Sequence, residues 1–160
     1  MAQRPSFDMT KLTTADKILL GGALLFVINS FLPWQRACVG EGAFRFCANF
    51  SAWSGTASWV GVLAGLLAIL LLLAGGLSLA GVAMPPTMPV PTVMSWLAFG
   101  TALLAVLKFL MVVTESVFFF AFIGLILALV IAYGGWMKTQ EVKVLPPPAV
   151  GPEPGPPVIP

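Results

Sequence analysis

Few residues in this chain could do chemistry. Cys38 and Cys47 are its only two cysteines, and both lie in one stretch, PWQRACVGEGAFRFCANFSAWSGTASW. A bridge between them closes about ten residues, and restricting the unfolded chain that much is worth roughly 2.7 kcal/mol. Gly40 and Gly42 lie between the two and supply the turn of a small hairpin. A structural disulfide is therefore predicted. The alternative is thiol exchange, which normally uses a close Cys-x-x-Cys pair and a second pair to pass electrons on. Here eight residues separate the two cysteines and no further cysteine exists. Zinc takes four ligands as a rule, and two cysteines without a histidine fall short. No catalytic residue, metal or cofactor is predicted.

The other chemically notable set lies in apolar surroundings. Lys108 stands in AVLKFLM, Glu115 follows seven residues later, and Asn29 stands near the end of an earlier apolar run. A lysine at the centre of a membrane helix costs about 2.5–3.5 kcal/mol on insertion scales, so it calls for a partner. Helix side chains lean toward the N-terminus, which turns Lys108 away from the nearer surface. Lys108, Glu115 and Asn29 together would form a small polar cluster. It reads either as packing glue with a snorkelling stem, as a site for an ion, proton or anionic ligand, or as a contact to a partner subunit.

Composition explains why so few such residues exist. Of 160 residues, 59% are hydrophobic and 9% charged, with six carboxylates and no histidine. Soluble domains are nearer 45–50% apolar and about 25% charged. Mean hydropathy is +0.99. An integral membrane protein is the reading, and a net charge of +2 is too small for a nucleic-acid binder.

A bilayer core of about 30 Å needs roughly 20 apolar residues as a helix. Four spans are predicted, over 16–32, 57–84, 93–113 and 117–137, within a transmembrane domain over 14–143. Thr13, Thr14 and Asp16 offer caps for the first helix, and Pro33 ends it. Pro85, Pro86, Pro89 and Pro91 break the chain between spans two and three. Thr114-Glu115-Ser116 is so short a turn that spans three and four must be antiparallel neighbours. Trp34, Trp53, Trp59, Trp96, Tyr133 and Trp136 fall near span ends, as amphipathic rings at headgroups should.

Arg4, Lys11, Lys17, Lys138 and Lys143 lie in or beside the two tails, against Arg36 and Arg45 in the first loop, over 33–56. That asymmetry predicts both termini in the cytoplasm and the cysteine loop outside, where disulfides form. The first span reads as a signal anchor that stays, since Asp8 and Asp16 precede it and no small-x-small site follows. Asn49-Phe50-Ser51 matches a glycosylation sequon. Residues 1–13 read as a loosely ordered cytoplasmic tail. Eight of the seventeen residues over 144–160 are proline, so a disordered, polyproline-like tail is predicted there. It is either inert or docks to an aromatic groove.

Small residues recur at fourfold spacing: Ala57, Gly61 and Gly65 in span two, and Gly124, Ala128 and Ala132 in span four. Such rows let helices approach closely, here within the bundle or toward a partner.

At FLPW (Phe31–Trp34), SAWSG (Ser51–Gly55) and YGGWMK (Tyr133–Lys138), the chain resembles a group of small, uncharacterised four-span proteins of actinobacteria and related bacteria. The resemblance covers about residues 10–140. It implies a bacterial cytoplasmic membrane and carries no activity with it. The reading of the whole is an all-α, four-helix transmembrane bundle with a disulfide-pinned outer loop. Its expected partners are the lipid bilayer and other membrane subunits or further copies of itself. A non-enzymatic accessory or scaffold role is expected. The alternatives are a small oligomeric transporter or channel built on Lys108, Asn29 and Glu115, and a thiol oxidoreductase using Cys38 and Cys47.

Overall fold

A computed structural model describes residues 12–81, 90–114 and 117–144. Helix α1 spans Thr14–Ser30, strand β1 Pro33–Val39 and strand β2 Phe46–Ser51; helix α2 spans Ser58–Leu79, α3 Val90–Val113 and α4 Phe119–Val144. A single 3-10 turn over Gly42–Phe44 joins the strands. Three helices are long and apolar enough to cross a membrane: α2, α3 and the stretch Phe119–Glu141 of α4. Helix α1 has 17 residues, about 26 Å at 1.5 Å per residue, and its first turns carry Asp16 and Lys17.

The four helices close a ring in chain order, α1 against α2, α2 against α3, α3 against α4 and α4 back against α1. The side-chain pattern sorts by size rather than polarity. Inward positions of α2 are Gly61, Ala64, Gly65, Ala68, Leu71 and Gly75, while Leu63, Leu66, Leu70, Leu73 and Leu77 point out. Helix α3 likewise buries Ala98, Ala102 and Ala105 and exposes Leu103, Leu107 and Leu110. Bulky apolar side chains outside and small ones inside are what lipid-facing helices need, since close backbone approach supplies the packing that hydrophobic exclusion cannot.

Local chemistry sets the ends. Thr13 caps α1: its Oγ1 accepts from the Asp16 amide at 3.2 Å, and the Asp16 carboxylate accepts from the Thr13 amide at 3.3 Å. This is a reciprocal capping box, and Thr14 sits inside the helix. Helix α3 begins at Val90, three residues before the expected start, because Pro91 falls in its first turn, where a missing N–H is harmless. Helix α2 ends at Leu79 rather than 84, with Gly81 at positive φ just beyond. Helix α4 runs on to Val144, past the expected stop at 137. Hydropathy falls there, but Lys, Gln and Glu are good helix formers and Lys138 pairs with Glu141 one turn on. The Pro-rich stretch beyond Val144, the tail over 1–11 and the loop prolines 85, 86 and 89 lie outside the described residues.

Strands β1 and β2 pair antiparallel, with Cys38 opposite Cys47, Arg36 opposite Asn49 and Val39 opposite Phe46. Gly40 at φ 90° and Gly42 at φ 57° take the left-handed turn positions that favour glycine. The expected hairpin is therefore present, and its two cysteines are bonded to each other.

Candidate functional site

The most elaborate arrangement is the cap at one end of the ring, where the hairpin and the segment after it plug the helix ends. The Ala52 amide donates to the Ser30 carbonyl at 3.0 Å, and the Phe118 amide to the Trp34 carbonyl at 2.9 Å. Gln35 also forms a bridge with Val117, so β1 is held on both edges. Its side-chain carbonyl accepts from the Thr56 amide at 3.0 Å. Trp34 is buried, with its Nε1 donating to the Asn29 carbonyl at 3.1 Å and its ring edge-on to Phe26. Trp53 donates from Nε1 to Ser30 Oγ at 2.8 Å and stacks on Phe31.

These insertions explain the glycines. A Cβ on Gly61 would collide with the Ala52 carbonyl oxygen, one on Gly65 with the Trp53 ring, and one on Gly124 with the Trp34 ring. The rows at fourfold spacing thus make room for the cap as well as for neighbouring helices. Ala57 does not continue the row: it is the N-cap residue of α2, in the left-handed region at φ 51° and ψ 41°. Ala128 is fully buried in the ring and Ala132 partly so. Of the six aromatics assigned to headgroups, Trp59, Trp96, Tyr133 and Trp136 are exposed. Trp34 is instead a core residue and Trp53 a half-buried one.

Lys108 is only 1% exposed. Its Nζ donates to the Thr56 carbonyl and, at 3.4 Å, to that of Ser54. The segment over 54–56 folds in to meet its amine. Backbone carbonyls withdrawn from water need donors, and Lys108 supplies one. Asn29 is also buried, but its contacts are separate: Nδ2 donates to the Phe120 carbonyl at 3.1 Å, which ties α1 to α4. Its Oδ1 is buried without a hydrogen-bond partner among the described residues. Glu115 lies outside the described residues. Lys108 and Asn29 therefore both sit under the cap, each bonded to backbone of a different segment.

A second cluster lies at the opposite end. Lys138 of α4 reaches Asp16 at 2.7 Å and Glu141 at 3.1 Å, and Thr13 Oγ1 donates to Glu141 at 3.3 Å. Asp16 alone reads as a helix cap and Lys138 alone as an interfacial charge. The signal that joins them is topological, because an even number of antiparallel helices puts the start of α1 beside the end of α4. Next to this clasp is a cavity of about 170 Å³ whose lining includes Leu20, Gly75, Ser78 and Met94. Ligand pockets are usually about 300–1,000 Å³, so this one has room for a few waters rather than a metabolite.

No family model matches the chain, and no curated protein or solved structure gives a match.

Proposed function

We propose that this chain is a four-span, non-enzymatic integral protein of the bacterial cytoplasmic membrane, with both tails in the cytoplasm. In this reading it serves as an accessory or scaffold subunit of a larger membrane assembly. The observation that carries the reading is where the buried polar side chains go. Lys108, Ser30 and Gln35 each bond to a backbone or ring group of the cap, and Asn29 bonds to the backbone of α4 beneath it. Asp16 and Glu141 are both bound to Lys138. Both cysteines are in the disulfide. Among the described residues, these polar groups are engaged in holding elements together.

The fourth span is inferred for α1 from its neighbour. Near one end α1 is tied to α4 through Asp16 and Lys138, and near the other through Asn29 and the Phe120 carbonyl. A helix fastened at both ends along a membrane-length helix crosses the same thickness. Leu24, Leu25 and Ile28 on its outward face suit lipid. The excess of Lys and Arg in the tails sets the direction.

The test is the mass of the particle extracted from its native membrane in mild detergent, with its components identified. Unrelated subunits in fixed stoichiometry support the accessory role. A particle containing this chain alone overturns it and favours an oligomeric pore or carrier.

A further inference from the structure

The hairpin beyond its root is exposed, and its exposure is sided. Successive residues of a strand point to opposite faces, and directly paired residues share a face. Cys38 and Cys47, with Arg36 and Asn49, therefore occupy one face, and Arg36, Cys38, Arg45 and Cys47 line a shallow depression there. The other face carries Ala37, Ala48, Val39 and Phe46. Val39 and Phe46 are each 72% exposed, and Phe44 in the turn is 78% exposed. No helix of the bundle covers these three side chains.

We propose that the hairpin is an interfacial anchor whose apolar face, Val39 and Phe46 with Phe44 at its tip, rests on the outer leaflet of the bilayer beside the bundle. Three observations favour lipid. First, the same face begins at its root with Gln35 and Phe50, which pack on residues 55–56 at the mouth of the bundle; the apolar face therefore starts at the level of the helix ends. Second, the outward surfaces of the helices below are leucine-rich, so the apolar face continues a surface already suited to lipid. Third, the face is too small for a protein partner. Strands of seven and six residues present roughly 20 Å by 10 Å, on the order of 200 Å². A stable protein interface takes about 800 Å² from each side. A bilayer asks for no matching shape, so a small apolar face suffices for it. The disulfide then keeps the two strands in the register that holds the faces apart.

This inference rests on the membrane reading, and the experiment separates the two. The full chain is placed in nanodiscs of phosphatidylethanolamine and phosphatidylglycerol with the photoreactive residue benzoylphenylalanine at one position at a time. Position 46 tests the apolar face, position 49 the disulfide face, and position 70 the outward side of α2. Lipid adducts at 70 and 46, several-fold above those at 49, are expected. Lipid adducts at 70 with none at 46, or equal adducts at 46 and 49, overturn the anchor and leave the membrane reading intact. A protein adduct at 46 in native membranes, with no lipid adduct there, overturns the anchor in favour of a protein dock. No lipid adduct at 70 overturns the membrane reading and the anchor with it.

Discussion

The two ends of the bundle are fastened by opposite chemistry. At the cap, mostly neutral groups meet in buried places: indole rings lie over glycines and backbone amides meet backbone carbonyls, with the basic Nζ of Lys108 donating to two further carbonyls. At the other end, Lys138 and two carboxylates clasp at the rim, with the lysine side chain 11% exposed and Glu141 38%. The cap depends on shape, so it should respond to volume and hardly to salt. The clasp depends on charge near water, so it should respond to ionic strength and little to volume.

The largest effect should come from adding volume under the cap. Gly61→Val puts a side chain into the Ala52 carbonyl, which cannot retreat because the Ala52 amide is bonded to Ser30. A loss of about 3 kcal/mol is expected, at the upper end of overpacking effects. Gly76→Ala, in the same helix with no described residue near its Cβ position, should be neutral or stabilising by up to about 1 kcal/mol. Unfolding in detergent measures both. Equal effects at the two glycines would mean that helix propensity, rather than the cap, sets the need for Gly61.

The bonded pair is next. Replacing both cysteines (Cys38→Ser with Cys47→Ser) removes at most about 2.7 kcal/mol by the loop-closure argument. The loss should be local, because Trp34, Gln35 and Ala52 anchor the hairpin root independently of the bridge. Hydrogen exchange is expected to rise over 36–49 while the helices keep their protection. Loss of protection in α2 would show that the bridge supports the whole cap.

The outline of the fold is legible in the sequence because a bilayer imposes one dominant pattern. Runs of about 20 apolar residues placed α2, α3 and most of α4, and two glycines between two cysteines placed the hairpin turn. Ends were less legible where two rules compete. Pro91 reads as a loop breaker, yet is tolerated in a first turn; Lys138–Lys143 reads as the end of a span, yet continues as helix. The cap contacts were the least legible. Trp34 beside Pro33 satisfies the pattern of a headgroup aromatic, and nothing local says that its ring enters the ring of helices. The clue was present in Gly124 and in the small rows, but a glycine records only that something is close, not whether it is a helix or an indole. The carbonyl partners of Lys108 were invisible for a related reason, since backbone acceptors leave no mark in side-chain identity.

Lys108→Met tests that last contact. The variant keeps the stem and leaves the Ser54 and Thr56 carbonyls without the amine. An unsatisfied buried acceptor costs about 1–3 kcal/mol, offset in part by no longer burying the amine, so a net loss of about 2 kcal/mol is expected. Protease sensitivity of the 52–57 segment should rise with it. A methionine variant more stable than the parent would show that Lys108 strains the cap and is kept for another purpose.

The smallest expected effect is at the clasp. Lys138→Gln removes both ion pairs but leaves the Thr13–Asp16 capping box, so the start of α1 keeps its cap. The loss should be about 1 kcal/mol at low salt, as for ion pairs near a surface. It should shrink toward zero in about 1 M salt, where the Debye length falls to about 3 Å. The Gly61→Val loss should be the same at both ionic strengths. If the clasp variant were equally salt-insensitive, the contrast between a shape-held end and a charge-held end would fail. Lys138 would then act through the packing of its stem against α1, as a long apolar side chain would.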